Sequence, residues 1–161
     1  MTTLFQQLEA DLTANGFSIQ YKDLSKPWGG YFAIDEAQAP QFIEKYFPQH
    51  SLDGIPTGTA LKPKILIVAP QKRLSWQYHH RRAEIWRVVT GPVGVMMSET
   101  DDETTVGQYN PGEIITMEKG VRHRLVGLDG WGVVAEIWQH TDPTSPSDED
   151  DIVRVQDDFG R

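Results

Sequence analysis

The chain has 161 residues, no cysteine, 39% hydrophobic and 24% charged residues, and a formal net charge of −8. That length is one domain by default and buries a sizeable core, while the missing thiols exclude a disulfide framework and leave only N and O donors for any metal. The acidic balance argues against nucleic acid as a partner. No apolar run reaches the roughly 18 residues of a membrane span, and the N-terminus lacks a basic-then-apolar signal pattern, so a cytoplasmic enzyme or binding protein is expected.

Thr2 and Thr3 followed by Leu4, Phe5, Leu8 and Leu12 predict a capped amphipathic helix that ends at Gly16 and packs on the outside of a sheet. Lys26-Pro27-Trp28-Gly29-Gly30 reads as a turn into a short strand, Tyr31 to Ile34. The Pro- and Gly-punctuated stretch from Ala37 to Lys62, with a short helix at Gln41 to Tyr46, reads as a surface excursion. From Ile65 the pattern changes. Strands are predicted at 65–68, 76–78, 85–89, 93–97, 105–109, 114–117, 122–126 and 133–138, bounded by Gly, Pro, Asn or Asp. Many short strands without intervening helices indicate an all-β sandwich or barrel. The acidic, Pro/Ser-rich run from Asp142 to Asp151 is expected to be an exposed loop. The expected organisation is a single domain, 1–161: helix and connector over 1–24, strand and excursion over 25–64, barrel core over 65–141, acidic C-terminal segment over 142–161.

Chemistry concentrates between Gln77 and Glu84, where a Gln, two His and a Glu stand within eight positions, and a further His follows at 123. Strand side chains alternate with period two, so Gln77 and His79 share a face while His80 points the other way. Glu84 from the next strand and His123 from an opposite pair can then reach the same point. Two imidazoles, a carboxylate and an amide oxygen suit Zn²⁺, Mn²⁺, Ni²⁺ or Fe²⁺, with Zn²⁺ heading the list. A lone His pair on a strand is more often a surface feature; the Gln, Glu and distant His in register reverse that. His50 and His140 have no partner pattern and are expected to face solvent. Trp76, Trp86 and Trp138 read as core packing.

Charge is unevenly spread. Between Lys62 and Arg87 there are seven Lys/Arg and one acid, Glu84, and the remaining chain carries eight bases and 22 acids. A basic segment around the ligand-type residues points to a small anionic partner such as a phosphate or carboxylate; the plainer alternative is a solvated strand edge that resists aggregation.

These residues carry a resemblance. His79, His80 and Glu84 followed by Gly91, with Gly112, Gly120 and His123 further on, are similar to the two motifs of the cupin family. Glu118 replaces the second motif's Pro, and Gly127 stands where Asn is often found. More specifically, the chain resembles the C-terminal cupin of type II mannose-6-phosphate isomerases. That likeness runs through Lys26-Pro27-Trp28-Gly29, residues 74–84, Gly120 to Leu125, Asp151 to Arg154, and Phe159-Gly160-Arg161. The departures are Ile85, where the family usually has His, and Arg81, in place of a third consecutive His. The nucleotidyl-transferring half of the bifunctional members has no counterpart here, so no sugar-nucleotide synthesis is expected.

The resemblance implies a cupin, a double-stranded β-helix or jelly-roll barrel with an N-terminal helix, holding a divalent metal on Gln77, His79, Glu84 and His123. It implies an aldose–ketose isomerase acting on a small anionic sugar phosphate, most specifically interconverting mannose 6-phosphate and fructose 6-phosphate through an enediol. Glu136, an acid among apolar strand neighbours, is the candidate general base. Arg122, Arg124, Arg154 and Arg161 are candidates to hold the phosphate. A homodimer is expected, with neither membrane nor nucleic acid as partner. The alternatives are a non-catalytic sugar-phosphate-binding cupin, or another metal-dependent cupin enzyme such as an epimerase or dioxygenase.

Overall fold

The strands around Ile67, Ile85 and Val134 are apolar on both faces rather than alternating, and the architecture explains why. The computed structural model describes residues 3–49, 60–142 and 144–160. Helix α1 (Leu4–Ala14) opens the chain, and Thr3 and Gln6 form a reciprocal capping box at its start. Strands β1 (Ile19–Lys26) and β2 (Gly29–Ile34) form a hairpin; a short 3₁₀ turn and helix α2 (Ala39–Tyr46) follow. Among the described residues nine more strands follow: β3 (Lys64–Val68), β4 (Trp76–Tyr78), β5 (Arg82–Thr90), β6 (Val93–Ser98), β7 (Gly107–Tyr109), β8 (Ile114–Met117), β9 (Arg122–Val126), β10 (Gly132–His140) and β11 (Val153–Gln156).

They build two antiparallel sheets, ordered β1-β2-β3-β10-β5-β8 and β11-β4-β9-β6-β7. The inner face of the larger sheet carries Leu66, Val68, Trp86, Val88 and Val134, which pack with Val93, Val95 and Leu125 of the smaller one. The alternate residues Ile65, Ile67, Ile85, Val133, Ala135 and Ile137 form a second core with residues of both helices. Strands β3, β5 and β10 are therefore covered on both sides, which removes the polar half of their alternation. Gly29 shows how closely the hairpin docks: its φ is +145°, and a Cβ there would sit 2.0 Å from the Ile67 carbonyl oxygen.

Three expectations need correction. The stretch from Ala37 is not a surface excursion as far as it is described, because Phe42, Ile43 and Phe47 of this region sit in the outer core; its residues 50–59 lie outside the described residues. Residues 19–24, read as connector, belong to β1, whose polar-rich and nowhere buried sequence hid it. The C-terminal acidic run is not wholly exposed either, since Ser147 and Asp151 are buried and lead into β11, which pairs with β4. Phe42→Ala, removing a ring with 0% exposure, is expected to cost about 3–5 kcal/mol, measurable by denaturant unfolding; a cost below about 0.5 kcal/mol would return α2 to the surface.

Candidate metal centre

The chain crosses from the small sheet to the large one at residues 79–81, between β4 and β5. His79 stands at that corner, Glu84 three positions into β5, and His123 on β9, where Gln77 of β4 is its direct cross-strand partner. Sheet pairing thus gathers residues up to 46 positions apart. His79, Glu84 and His123 each offer a ligand atom, all within 4.8 Å of one another, and none is more than 3% exposed.

Their hydrogen bonds fit a cation. His79 donates from Nδ1 to the Asp151 carbonyl at 2.7 Å, and His123 from Nδ1 to the Val121 carbonyl at 3.0 Å. With Nδ1–H committed, each Nε2 presents either a lone pair or a second proton. The Nε2 atoms lie 2.9 and 3.3 Å from the two oxygens of Glu84, yet neither makes a hydrogen bond. Two lone pairs facing a buried carboxylate repel it; a divalent cation between the three groups resolves that conflict for both rings at once.

Protons answer the same conflict in part. Burial raises the Glu84 carboxyl, but His79 and then His123 beside it outweigh this and hold it well below its ordinary range. Burial likewise pushes His123 down, and Glu84 more than reverses it, so the ring titrates above its ordinary value. Cations and protons therefore compete here, and metal affinity falls with pH as His123 charges. Gln77 also borders the site, and its Oε1 accepts from the Ser75 hydroxyl at 2.6 Å. A carbonyl oxygen has two lone pairs, so one remains.

A cavity of about 210 Å³ opens beside these residues, lined by Gln77, Glu84 and His123 together with Glu136, Trp86 and Arg82. Glu136 is buried, and the Trp86 indole donates to it at 2.7 Å. Burial, then repulsion from Glu84, pushes its carboxyl up to about 8, against the opposing pull of Lys64. Arg82 was missed by sequence reasoning. It reaches Glu84 Oε1 through Nε and Nη2, both at 3.0 Å, and stacks 3.7 Å above the Trp138 ring. The basic run from Lys62 to Arg87 was its only signal, and of those seven residues Lys64 and Arg82 line the cavity.

The arginine candidates separate. Arg154 lines the cavity. Arg124 borders it too, but its guanidinium is spent on the Leu74 carbonyl, Glu103 and Gln156. Arg122 does not line it; alternation turns it away from His123, onto Asp101 and the Tyr78 ring. Arg161 and His50 lie outside the described residues. His80 is exposed. His140 does not face solvent as expected: it is half-buried, accepts from the Ser147 amide at 2.9 Å and contacts the Ala60 carbonyl.

The family model described as mannose-6-phosphate isomerase C-terminal matches residues 38–157. This chain belongs to that family. Its members include the alginate biosynthesis protein AlgA of Pseudomonas aeruginosa, 36% identical over 129 residues, 80% of this chain and 25% of that protein. The mannose-1-phosphate guanylyltransferase ManC of Salmonella typhimurium is 32% identical over 118 residues, 73% of this chain and 23% of that protein. The chain thus spans about a quarter of the length of the curated relatives it matches. Among solved structures, a variant of Bacillus subtilis oxalate decarboxylase superposes with a TM-score of 0.58 at 12% identity, over 83% of this chain and 30% of that one. Vicilin from Corylus avellana gives 0.53 at 15% identity, over 80% and 34%. These two show the fold alone: the chain is a cupin jelly roll with a helix at its N-terminal end. Among the described residues, no helix is long and apolar enough to cross a membrane.

Proposed function

We propose that this member of the mannose-6-phosphate isomerase C-terminal family is a metal-dependent sugar-phosphate isomerase, interconverting mannose 6-phosphate and fructose 6-phosphate. The observation that carries it is the union, in one cavity wall, of the Glu84–His123 ligand pair with a second, separately buried acid, Glu136. Gln77, His79, Glu84 and His123 would hold the ion, with Zn²⁺ first among Zn²⁺, Mn²⁺, Ni²⁺ and Fe²⁺ for this N/O donor set. When bound, it would supply a Lewis acid for the sugar carbonyl.

The chain's own groups do the rest. Glu136 takes the proton from the carbon beside the carbonyl and returns it to the former carbonyl carbon, while the proton of the neighbouring hydroxyl passes to the former carbonyl oxygen, giving the ketose from the aldose. Its raised pKa is what a base exchanging protons with a weak carbon acid needs. Trp86 fixes the carboxylate by donating to one of its oxygens. Arg154 and Lys26, both on the cavity wall, would take the phosphate by charge and paired hydrogen bonds.

The family departures leave this wall untouched. Ile85 belongs to the outer core, and Arg81 pairs with Asp148 at 3.1 Å, so neither change removes a cavity group. The test is to load stripped protein with each metal and follow mannose 6-phosphate by NMR. Appearance of fructose 6-phosphate is expected with at least one metal. Saturable binding without conversion across all four would instead make the protein a sugar-phosphate binder, and turnover undiminished by chelation would reject the metal.

A further inference from the structure

The three ligand side chains are not supported alike. His123 is oriented by the Val121 carbonyl, two residues away and just before its strand, and Glu84 by Arg82, also two residues away. His79 depends on a residue 72 positions further on, Asp151. That residue does more than accept from one ring. Its Oδ1 accepts the His80 amide at 2.9 Å, and its Oδ2 accepts the Arg81 amide at 2.9 Å and the Ser147 hydroxyl at 2.6 Å. Asp151 therefore serves three consecutive residues, 79, 80 and 81, at the corner where the chain changes sheets.

The corner needs such a partner. Residues 79–81 lie in neither β4 nor β5, so the amides of His80 and Arg81 have no place in a ladder and must find acceptors elsewhere. A carboxylate with two oxygens takes both and still accepts Ser147. The geometry then delivers the Asp151 carbonyl to His79 Nδ1, which selects the tautomer whose Nε2 lone pair faces Glu84. Two residues later β11 begins, and Arg154 pairs with Gln77, so the same segment also registers the strand that leads into the corner.

We infer that Asp151 is a positioning residue of the metal centre, holding His79 in its Nδ1–H tautomer and fixing the 79–81 corner from outside the barrel strands. This rests on the metal reading of the site for its effect on affinity, but the tautomer does not. The test uses the full chain, stripped of metal, as wild type, Asp151→Ala, Asp151→Asn and Ser147→Ala. Nitrogen NMR of the imidazoles reads the tautomers, and calorimetric titration with Zn²⁺ alone reads affinity. Wild type should show His79 and His123 both protonated at Nδ1. Asp151→Ala should lose the single tautomer at His79 while His123 keeps its own, and should weaken Zn²⁺ binding by about 10–100-fold. Asp151→Asn, which keeps one acceptor oxygen but turns an amide donor toward a backbone N–H, should move both readouts the same way by less. It decides the matter if the alanine variant does not fold. Ser147→Ala removes a hydroxyl that donates to Asp151 and accepts from Arg82 Nη1 at 3.0 Å but leaves both backbone bonds to Asp151, so it should keep the His79 tautomer and weaken Zn²⁺ binding less than Asp151→Ala does.

A folded Asp151→Ala or Asp151→Asn protein with His79 still protonated at Nδ1 and unchanged Zn²⁺ affinity overturns the inference. So does a Ser147→Ala loss as large as that of Asp151→Ala, which would assign the effect to the loop as a whole. Wild-type protein that binds none of the four metals sinks the metal reading instead, and the imidazole spectra still decide the role of Asp151.

Discussion

Replacing His123 by alanine is expected to remove bound metal and isomerase turnover together. The ring supplies one of three buried ligand atoms gathered within 4.8 Å, and its partners cannot close the gap. His79 is tied to the Asp151 carbonyl, and Glu84 is held by Arg82. Losing a direct ligand should cost at least the upper end of the roughly 10–100-fold expected for a residue that only orients one. The fold should survive, because an imidazole with an unbonded Nε2 gives up little hydrogen bonding. Elemental analysis beside a circular dichroism spectrum checks this. A His123→Ala protein that retains stoichiometric zinc and wild-type turnover would remove the site from the chemistry.

Glu136→Gln should separate binding from catalysis. The amide keeps the size and can still accept from Trp86 Nε1, so metal content and substrate affinity should change little, while kcat falls by about 10²–10⁴-fold. The pH profile gives a sharper reading. A base must be deprotonated, so wild-type kcat/KM should rise with pH along a limb set by the Glu136 carboxyl, which stands at about 8 in the metal-free protein. A cation on Glu84 offsets the repulsion that ranks second among the causes of that shift, so the limb should lie lower in the loaded enzyme. Glu136→Gln should lose it altogether. Stability runs the opposite way. Between its ordinary value near about 4.3 and about 8, the folded protein keeps a proton that the unfolded chain has released. Its stability therefore falls as pH rises through that window. Glu136→Gln removes this decline, and urea unfolding at pH 5 and pH 8 should show a smaller difference for the variant than for wild type. An unchanged kcat would require another base.

Much of the fold was legible because strands announce themselves by local pattern. The segments around Ile65, Ile85, Val93, Ile114, Arg122 and Val133 are apolar or alternating runs with Gly, Pro or Asn at their ends, and each is a strand. β1 and β11 were not legible, since neither carries a buried residue; only pairing with β2 and β4 makes strands of them. α2 was read as a helix but put on the surface. Its Pro- and Gly-rich flanks mimic a loop, whereas its apolar residues have their counterpart on the far face of a sheet assembled from distant strands.

By itself the sequence determined which donors were available and that they fell into register. Period-two alternation and the distant His were enough to group His79, Glu84 and His123 and to single out Glu136 as an acid among apolar neighbours. Only the tertiary structure decided what stands behind them. Arg82 on Glu84, Trp86 on Glu136 and Asp151 on His79 are readable in no local pattern, because two of these partners lie 50 and 72 residues from the groups they orient. Arg122 was misplaced for a different reason, one that is local: adjacency to His123 in the chain means opposite faces on a strand. A side chain's chemistry is written in its own identity. The hydrogen bonds that aim it come from whichever backbone the sheets bring alongside.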